Sequence, residues 1–453
     1  MYALLKSPAE IRTHHHPVQI PDDVRVDEPA LTHSLRRKLL NRHRQNFNWQ
    51  EGGTRSPIKY LDRDSVEYSL TQAADNNTSE ARMARLTLYR SLALQDKVWG
   101  GIFQYATGDW HHPHYVMTMA SQAGHLRMYA LAHALWDNRI FKSAALQIRA
   151  YLSRFLASPV HAFYAGQLDR IRDCEPRSYY AMNELQRLRH GIPEIDTRIL
   201  ARENGWAIEA LATCYEYCND AAALELAVNA AHWIIGQRSI ADGGFKNGEE
   251  ISYRLGDTLA MGRAFLQLYR ATADADWLAR AINAADFIAL HFHHRGGGFV
   301  PAVNTRSKLQ TGPGIDENLS LMRFANLLSF YSGRKRHRGM AKHCFRFLCL
   351  DEVATARDEE TGILLADQEY HERPLQITLI GSRKDQRARA LYRVALNHHP
   401  WFKRLVWQEP GESPLQGREM YFKQQPVAVV RHPFSKSSHF YEPQSLKDFL
   451  WSL

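Results

Sequence analysis

The chain has 453 residues, 45% of them hydrophobic and 23% charged, with a formal net charge of +9. This is ordinary soluble globular composition, and no stretch reaches the ~18 apolar residues that a membrane span requires. The first residues, Met1 to Pro21, contain no apolar core of a secretory signal, so a cytoplasmic protein is expected. The length allows one large domain or two to three ordinary ones.

In chain order, residues 1–28 are rich in Pro and charge and read as an extended segment, with His14-His15-His16 as a surface cluster. Helical periodicity then runs to about residue 350, with apolar residues at three- and four-residue spacing. It marks Leu31 to Phe47, Ser79 to Leu94, Tyr115 to Trp136, Phe141 to Leu156 and Gly205 to Tyr217. It continues through Ala221 to Ile235, Thr258 to Tyr269, Asp276 to His291, Leu319 to Tyr331 and Gly339 to Leu350. Asn219-Asp220 and Asp274-Ala275-Asp276 supply stop and start signals between neighbours. The run Arg334-Lys335-Arg336-His337-Arg338 reads as a solvated helix start. A recognisable nucleic-acid module with interleaved aromatics is missing, which disfavours nucleic acid as a partner. The five cysteines form no CxxC pair and no zinc pattern, so they read as thiols and no metal is implied.

A short signature recurs between helix pairs: Gly52-Gly53, Gly100-Gly101-Ile102-Phe103, Phe163-Tyr164, Gly243-Gly244-Phe245, Gly297-Gly298-Phe299 and, more weakly, Thr361-Gly362-Ile363-Leu364. The copies stand roughly 50 to 80 residues apart, the length of two helices and their loops. Glycine permits the positive-φ turn, and the following aromatic covers the end of the bundle. Six such pairs predict an all-α dominated (α/α)6 toroid over residues 29–370. Residues 371–453 change character and predict a small α/β appendage packed on the toroid. Its strands are read at Gln376–Gly381, Arg404–Trp407 and Val427–Val430, with helices at Asp385–Leu396 and Pro443–Leu453. It carries no GxGxxG or P-loop, so no nucleotide cofactor is implied.

Three landmarks resemble a known family. They are Gly100-Gly101-Ile102-Phe103-Gln104-Tyr105 leading to Pro113-His114-Tyr115, the segment Asp196 to Asn204-Gly205, and Leu255-Gly256-Asp257-Thr258-Leu259-Ala260. In order and spacing these resemble the helical portion of the thioredoxin-fused, spermatogenesis-associated proteins of the N-acylglucosamine 2-epimerase-like superfamily. The likeness runs over about residues 35 to 450 and implies a six-hairpin toroid related to carbohydrate epimerases and isomerases. The sequence departs from that family at Val116-Met117, where the family has Glu-Lys, and at Glu203, where it has Trp. No thioredoxin-like stretch precedes the helices, so the resemblance implies no redox role.

Epimerases and isomerases of this superfold move a proton next to a carbonyl, which needs two groups able to give and take it near neutral pH. His114, at a helix start after Trp110, is the candidate base, and Trp110 a candidate stacking platform. Asp257 and Glu317 are the candidate catalytic carboxylates. Asp109, Asp196, Glu203, Asn204, Asp316 and Asn318 are candidate substrate-binding residues, each at or near a helix start where a plain capping role is the alternative. Three functional readings stay open. One is a sugar epimerase or isomerase acting on a small sugar-like metabolite. Another is a non-catalytic toroid that binds a protein partner. The last is a glycoside hydrolase using facing carboxylates.

Overall fold

The computed structural model describes residues 28–249, 253–302, 312–399, 401–409, 425–431 and 437–453. The His14–His16 run lies outside the described residues. Twelve helices build the main body: α1 (His33–Asn46), α2 (Arg63–Ala74), α3 (Thr78–Ser91), α4 (Met119–Trp136), α5 (Arg139–Tyr151), α6 (Ala201–Cys218), α7 (Ala221–Arg238), α8 (Leu255–Thr272), α9 (Ala275–His291), α10 (Ile315–Ser332), α11 (Lys335–Leu348) and α12 (Thr361–His371). The even-numbered helices form an inner ring in which each packs on the next and α12 packs back on α2. The odd-numbered helices pack outside them, α1 against α12. The architecture is therefore a closed (α/α)6 toroid whose seam joins the first helix to the last.

Two kinds of turn repeat around the ring. Each inner helix leads to its outer partner through one left-handed residue followed directly by the next helix cap. These are Asn76-Asn77, Asp137-Asn138, Asn219-Asp220 and Ala273-Asp274, with Gly333-Arg334 completing the series. Asn77, Asn138, Asp220 and Asp274 each accept a free helix N–H, which is why short polar residues recur there.

Five of the outer helices lead to the next inner one through copies of the glycine-aromatic signature. The turn is closed by the same isolated bridge at Phe47–Thr54, Gln95–Ile102, Ala157–Phe163, Ser239–Phe245 and His293–Phe299. At Gly100 φ is +84°, and a Cβ would come within 2.7 Å of the Gln147 carbonyl, so no other residue fits. The copy at Phe163 has no glycine pair, and His161 takes the left-handed conformation instead. The expected sixth copy is absent, because Thr361 to Leu364 form the first turn of α12.

The appendage is a four-stranded sheet of β1 (Leu375–Ile380), β2 (Lys403–Gln408), β3 (Val427–Arg431) and β4 (Ser438–Phe440), in the order β4-β3-β1-β2. β1 and β2 run parallel and are joined through α13 (Gln386–Asn397), while α14 (Pro443–Leu450) packs against α13. Ile377, Leu379, Leu391, Leu405 and Val430 form its own core. It sits at the C-terminal ends of the inner helices. There Trp401 donates to Thr71, Tyr392 to the Arg270 carbonyl and Arg404 to the Phe330 carbonyl. That end of the barrel is plugged by the appendage.

Candidate active site

The N-termini of the inner helices surround an axial cavity of about 310 Å³, the small end of the range for ligand sites. Its walls follow a spacing repeated on each of five inner segments, four residues and then three. The sets are Tyr60, Asp64 and Glu67; Ala120, Gly124 and Arg127; Arg202, Trp206 and Glu209; Gly256, Ala260 and Arg263; Asp316, Ser320 and Arg323. Such a stripe is one helical face, so all five inner helices present it to the axis. From Arg202, Gly256 and Asp316 down to their charged third members is about 10 Å at 1.5 Å per residue.

Those charged residues form the floor. Arg127 grips Glu67 at 2.6 and 2.9 Å, and Arg263 grips Glu209 at 2.7 and 3.1 Å. Arg323 bridges Glu369 of α12, at 2.7 and 2.8 Å, to Glu67 at 2.8 Å. The Arg127 Nε also lies 3.8 Å from Glu209. One residue from each of the six inner helices is thereby tied into a belt across the axis. Burial alone would raise the Glu67 carboxyl, but Arg127 and Arg323 outweigh it and hold it well below the usual range.

Above the belt, two titratable side chains on different walls are tuned in opposite senses. His125 of α4 lines the cavity and is 3% exposed. Burial pushes its imidazole down to about 4, against the raising effect of the Ser121 carbonyl and with help from Arg63. The Nδ1–H donates to that carbonyl at 2.9 Å, which leaves Nε2 as a lone-pair acceptor without a partner. Glu317 of α10 lines the cavity, and burial together with Asp316 raises its carboxyl. A Cβ on Gly314 would come within 2.7 Å of its Oε2, so glycine leaves that carboxylate its room. Behind it lies Asp257, 1% exposed, which burial pushes up to about 7, with Arg202 lowering it and Glu203 raising it. Trp206 forms part of the wall, with the Arg202 guanidinium 5.0 Å from its ring centroid. A lowered imidazole and a raised carboxyl on different walls of one cavity are the kinds of partner that proton transfer requires.

The structure sorts the residues singled out from the sequence. Glu317 and Asp316 line the cavity, Asp316 held by Arg357 at 2.7 Å. Asp257 and Glu203 stand just behind the wall, where Glu203 meets Arg202 at 3.3 Å. Asn204 and Asn318 lie elsewhere, both fully buried. Asn204 accepts from the Phe163 N–H and donates to the Phe163 and Leu200 carbonyls. Asn318 does the same with Phe299 and Gly314. They clasp the aromatic of the preceding turn, as Gln122 clasps Ile102 and the Thr258 hydroxyl takes the Phe245 N–H. Trp110 is a core residue, 1% exposed, with its indole N–H donated to Glu51, so it offers no face for stacking.

His114 stands in a rim strand, its ring stacked on Tyr105 at 4.9 Å, and is not among the residues that line the cavity. Asp109 pairs with His112 on the surface, and Asp196 with Arg198. His125, Trp206 and the belt are the residues that sequence reading passed over. The signal was the four-then-three stripe of polar and small residues inside otherwise apolar helices. Among the described residues, no group of three His, Cys, Asp or Glu is placed to hold a metal ion. No described helix is long and apolar enough to cross a membrane.

No protein-family model matches the sequence, and no curated protein matches it either. Solved structures do. A cellobiose 2-epimerase from Spirochaeta thermophila DSM 6192 is similar with a TM-score of 0.53 at 12% identity, over 70% of this chain and 84% of its own. A D-mannose isomerase reaches 0.57 at 11% identity, over 75% and 97%. An unsaturated glucuronyl hydrolase specific for heparin reaches 0.53 at 10%, over 74% and 96%. The chain shares the six-hairpin (α/α)6 fold of these structures, which include sugar epimerases and isomerases and a glucuronyl hydrolase.

Proposed function

We propose that the axial cavity binds a sugar and that His125 and Glu317 move a proton at the carbon beside its carbonyl, an epimerase- or isomerase-type reaction. The observation that carries this is His125, a residue of the cavity wall whose buried Nε2 has no partner. Its Nδ1 bond to Ser121 fixes the tautomer that can receive a proton. Glu317, its carboxyl raised by burial and by Asp316, is the group that returns a proton from a different wall, and Asp257 behind it can replenish the acid. Trp206 supplies an apolar face of the kind sugars stack on, and Arg202 a donor for an oxyanion. The epimerase and isomerase neighbours support the reading by sharing the frame.

The finer kinship, to the thioredoxin-fused spermatogenesis-associated proteins, belongs to this proposal too. Its landmarks are architectural here: Asn204 clasps a turn, and a Cβ on Gly205 would come within 2.6 Å of the Ala260 backbone.

The test is incubation of a panel of reducing sugars with the protein in deuterated water. Solvent deuterium at C2 is expected, and it should fall by about 10²- to 10⁴-fold in His125→Gln. A panel without incorporation would defeat the proposal. One observation favours a second reading, glycoside hydrolysis: Asp64 of α2 and Asp316 of α10 line the same cavity. That reading predicts new reducing ends from glycosides, and loss of this activity in Asp64→Asn. A toroid that only binds a protein would give neither product.

A further inference from the structure

Beneath the belt lies a second, smaller chamber of about 70 Å³, closed on its far side by Trp401 and Phe402 of the appendage. It has room for a few water-sized groups and is far too small for a sugar. The belt contributes three arginines and three glutamates, which balance. Below it, Arg270 pairs with Glu216 at 2.5 Å, and Lys403 reaches the same carboxylate at 3.1 Å. Two cations therefore share one carboxylate. Among the described residues the buried cluster holds five cations and four carboxylates, an excess of one positive charge. None of the nine side chains is more than 20% exposed.

An unbalanced charge at this depth is expensive unless something neutralises it. The surrounding tyrosines do not, because burial raises the Tyr217, Tyr331 and Tyr392 hydroxyls and keeps them protonated. Asp75 and Glu372, at the same end of the barrel, are exposed to solvent. A donor is waiting as well. Arg270 is 5% exposed and lines the chamber. Its Nη atoms serve Trp401, Glu216 and Tyr217, while its Nε–H has no partner.

We infer that this chamber is a binding site for one small inorganic anion of chloride size, received by the Arg270 Nε–H and balancing the Lys403 charge. The inference is independent of the proposed reaction. Burial, with Arg270 adding to it against Glu216, pushes Lys403 down to about 8, as expected of a cation with too little negative charge nearby. The anion would fasten the belt to the appendage, and with it the floor of the cavity above.

Crystals of the full chain soaked in sodium bromide should show an anomalous peak within hydrogen-bonding distance of the Arg270 Nε. In solution, chloride replacing methanesulfonate at constant ionic strength should lower the unfolding constant by about tenfold per decade above half-saturation. Lys403→Met removes the excess charge and should abolish that dependence. An empty chamber in the soaked wild-type crystals overturns the site, whatever the variant does. So does equal stability in the two salts, or a Lys403→Met protein that keeps the chloride dependence.

Discussion

The seam of the toroid gives the sharpest stability prediction. His43 of α1 is 3% exposed and sits between two carboxylates. Its Nε2 lies 3.1 Å from Glu80 of α3, and its Nδ1 lies 3.1 Å from Glu359, just before α12. Ser69 of α2 and Thr361 of α12 complete the cluster at 3.4 and 3.2 Å. One imidazolium thus ties the first helix to both sides of the closing contact. Burial works against its charge, but the hydrogen bonds it donates to Glu359 and Glu80 outweigh that and raise it from 6.5 to about 9.

The folded value exceeds the unfolded one, so the stabilisation is complete below pH 6.5 and is lost as pH rises through about 9. At 1.36 kcal/mol per unit it amounts to about 3 kcal/mol. The assay is urea unfolding of wild type and His43→Gln at a series of pH values from about 6 to 10. The difference between them should shrink by about 3 kcal/mol across that range. Lys403, at about 8, also titrates within this range, but it does so in both proteins and cancels from the difference. Two curves that stay parallel throughout would refute the assignment of a charged His43 to the seam.

Asn318→Ala strips the turn partners from Phe299 and Gly314 and leaves buried groups unpaired, so it should destabilise by about 2 to 4 kcal/mol in chemical denaturation. Trp110→Ala should lower stability by about 3 to 5 kcal/mol while leaving sugar affinity in calorimetry unchanged, since the ring belongs to the core. Arg127→Met leaves Glu67 facing a single arginine in the belt and should cost about 3 to 5 kcal/mol in the same denaturation assay. The pH–rate profile of proton exchange should rise as His125 loses its proton near 4 and fall again at higher pH as the raised Glu317 carboxyl ionises. A profile flat across that range would remove the pair from the mechanism.

The seam is also where sequence reading was weakest. Ten of the twelve toroid helices announce themselves by apolar periodicity. The two that do not, α2 and α12, adjoin the closure. α2 buries Glu67 and Ser69 beside Val66 and Leu70, so its inner face reads as polar although it is internal. α12 opens on Thr361-Gly362, which imitates the glycine turn of the earlier repeats. There glycine serves close packing instead, since a Cβ on Gly362 would come within 2.4 Å of Leu319. The site residues failed for a related reason. A carboxylate or amide at a helix start looks the same whether it meets a ligand or ties a loop, and Asn204 and Asn318 tie loops. Trp110 was placed by its neighbours in the chain, whereas its ring packs against Gly53 and donates to Glu51.

By itself the sequence determined the things that local chemistry fixes. These are ten of the helices from periodicity, turns from glycine and Asn/Asp, five of the repeats from spacing, and the change to strands after residue 371. The tertiary structure alone decided which face of each inner helix reaches the axis. Around that axis residues 46 to 82 apart along the chain, from Glu67 through Arg127, Glu209, Arg263 and Arg323 to Glu369, become neighbours. The charge on His125, Glu317 and His43 was decided there as well. A pKa depends on how much water is removed and which charges approach, and both are set by helices that meet only when the ring closes.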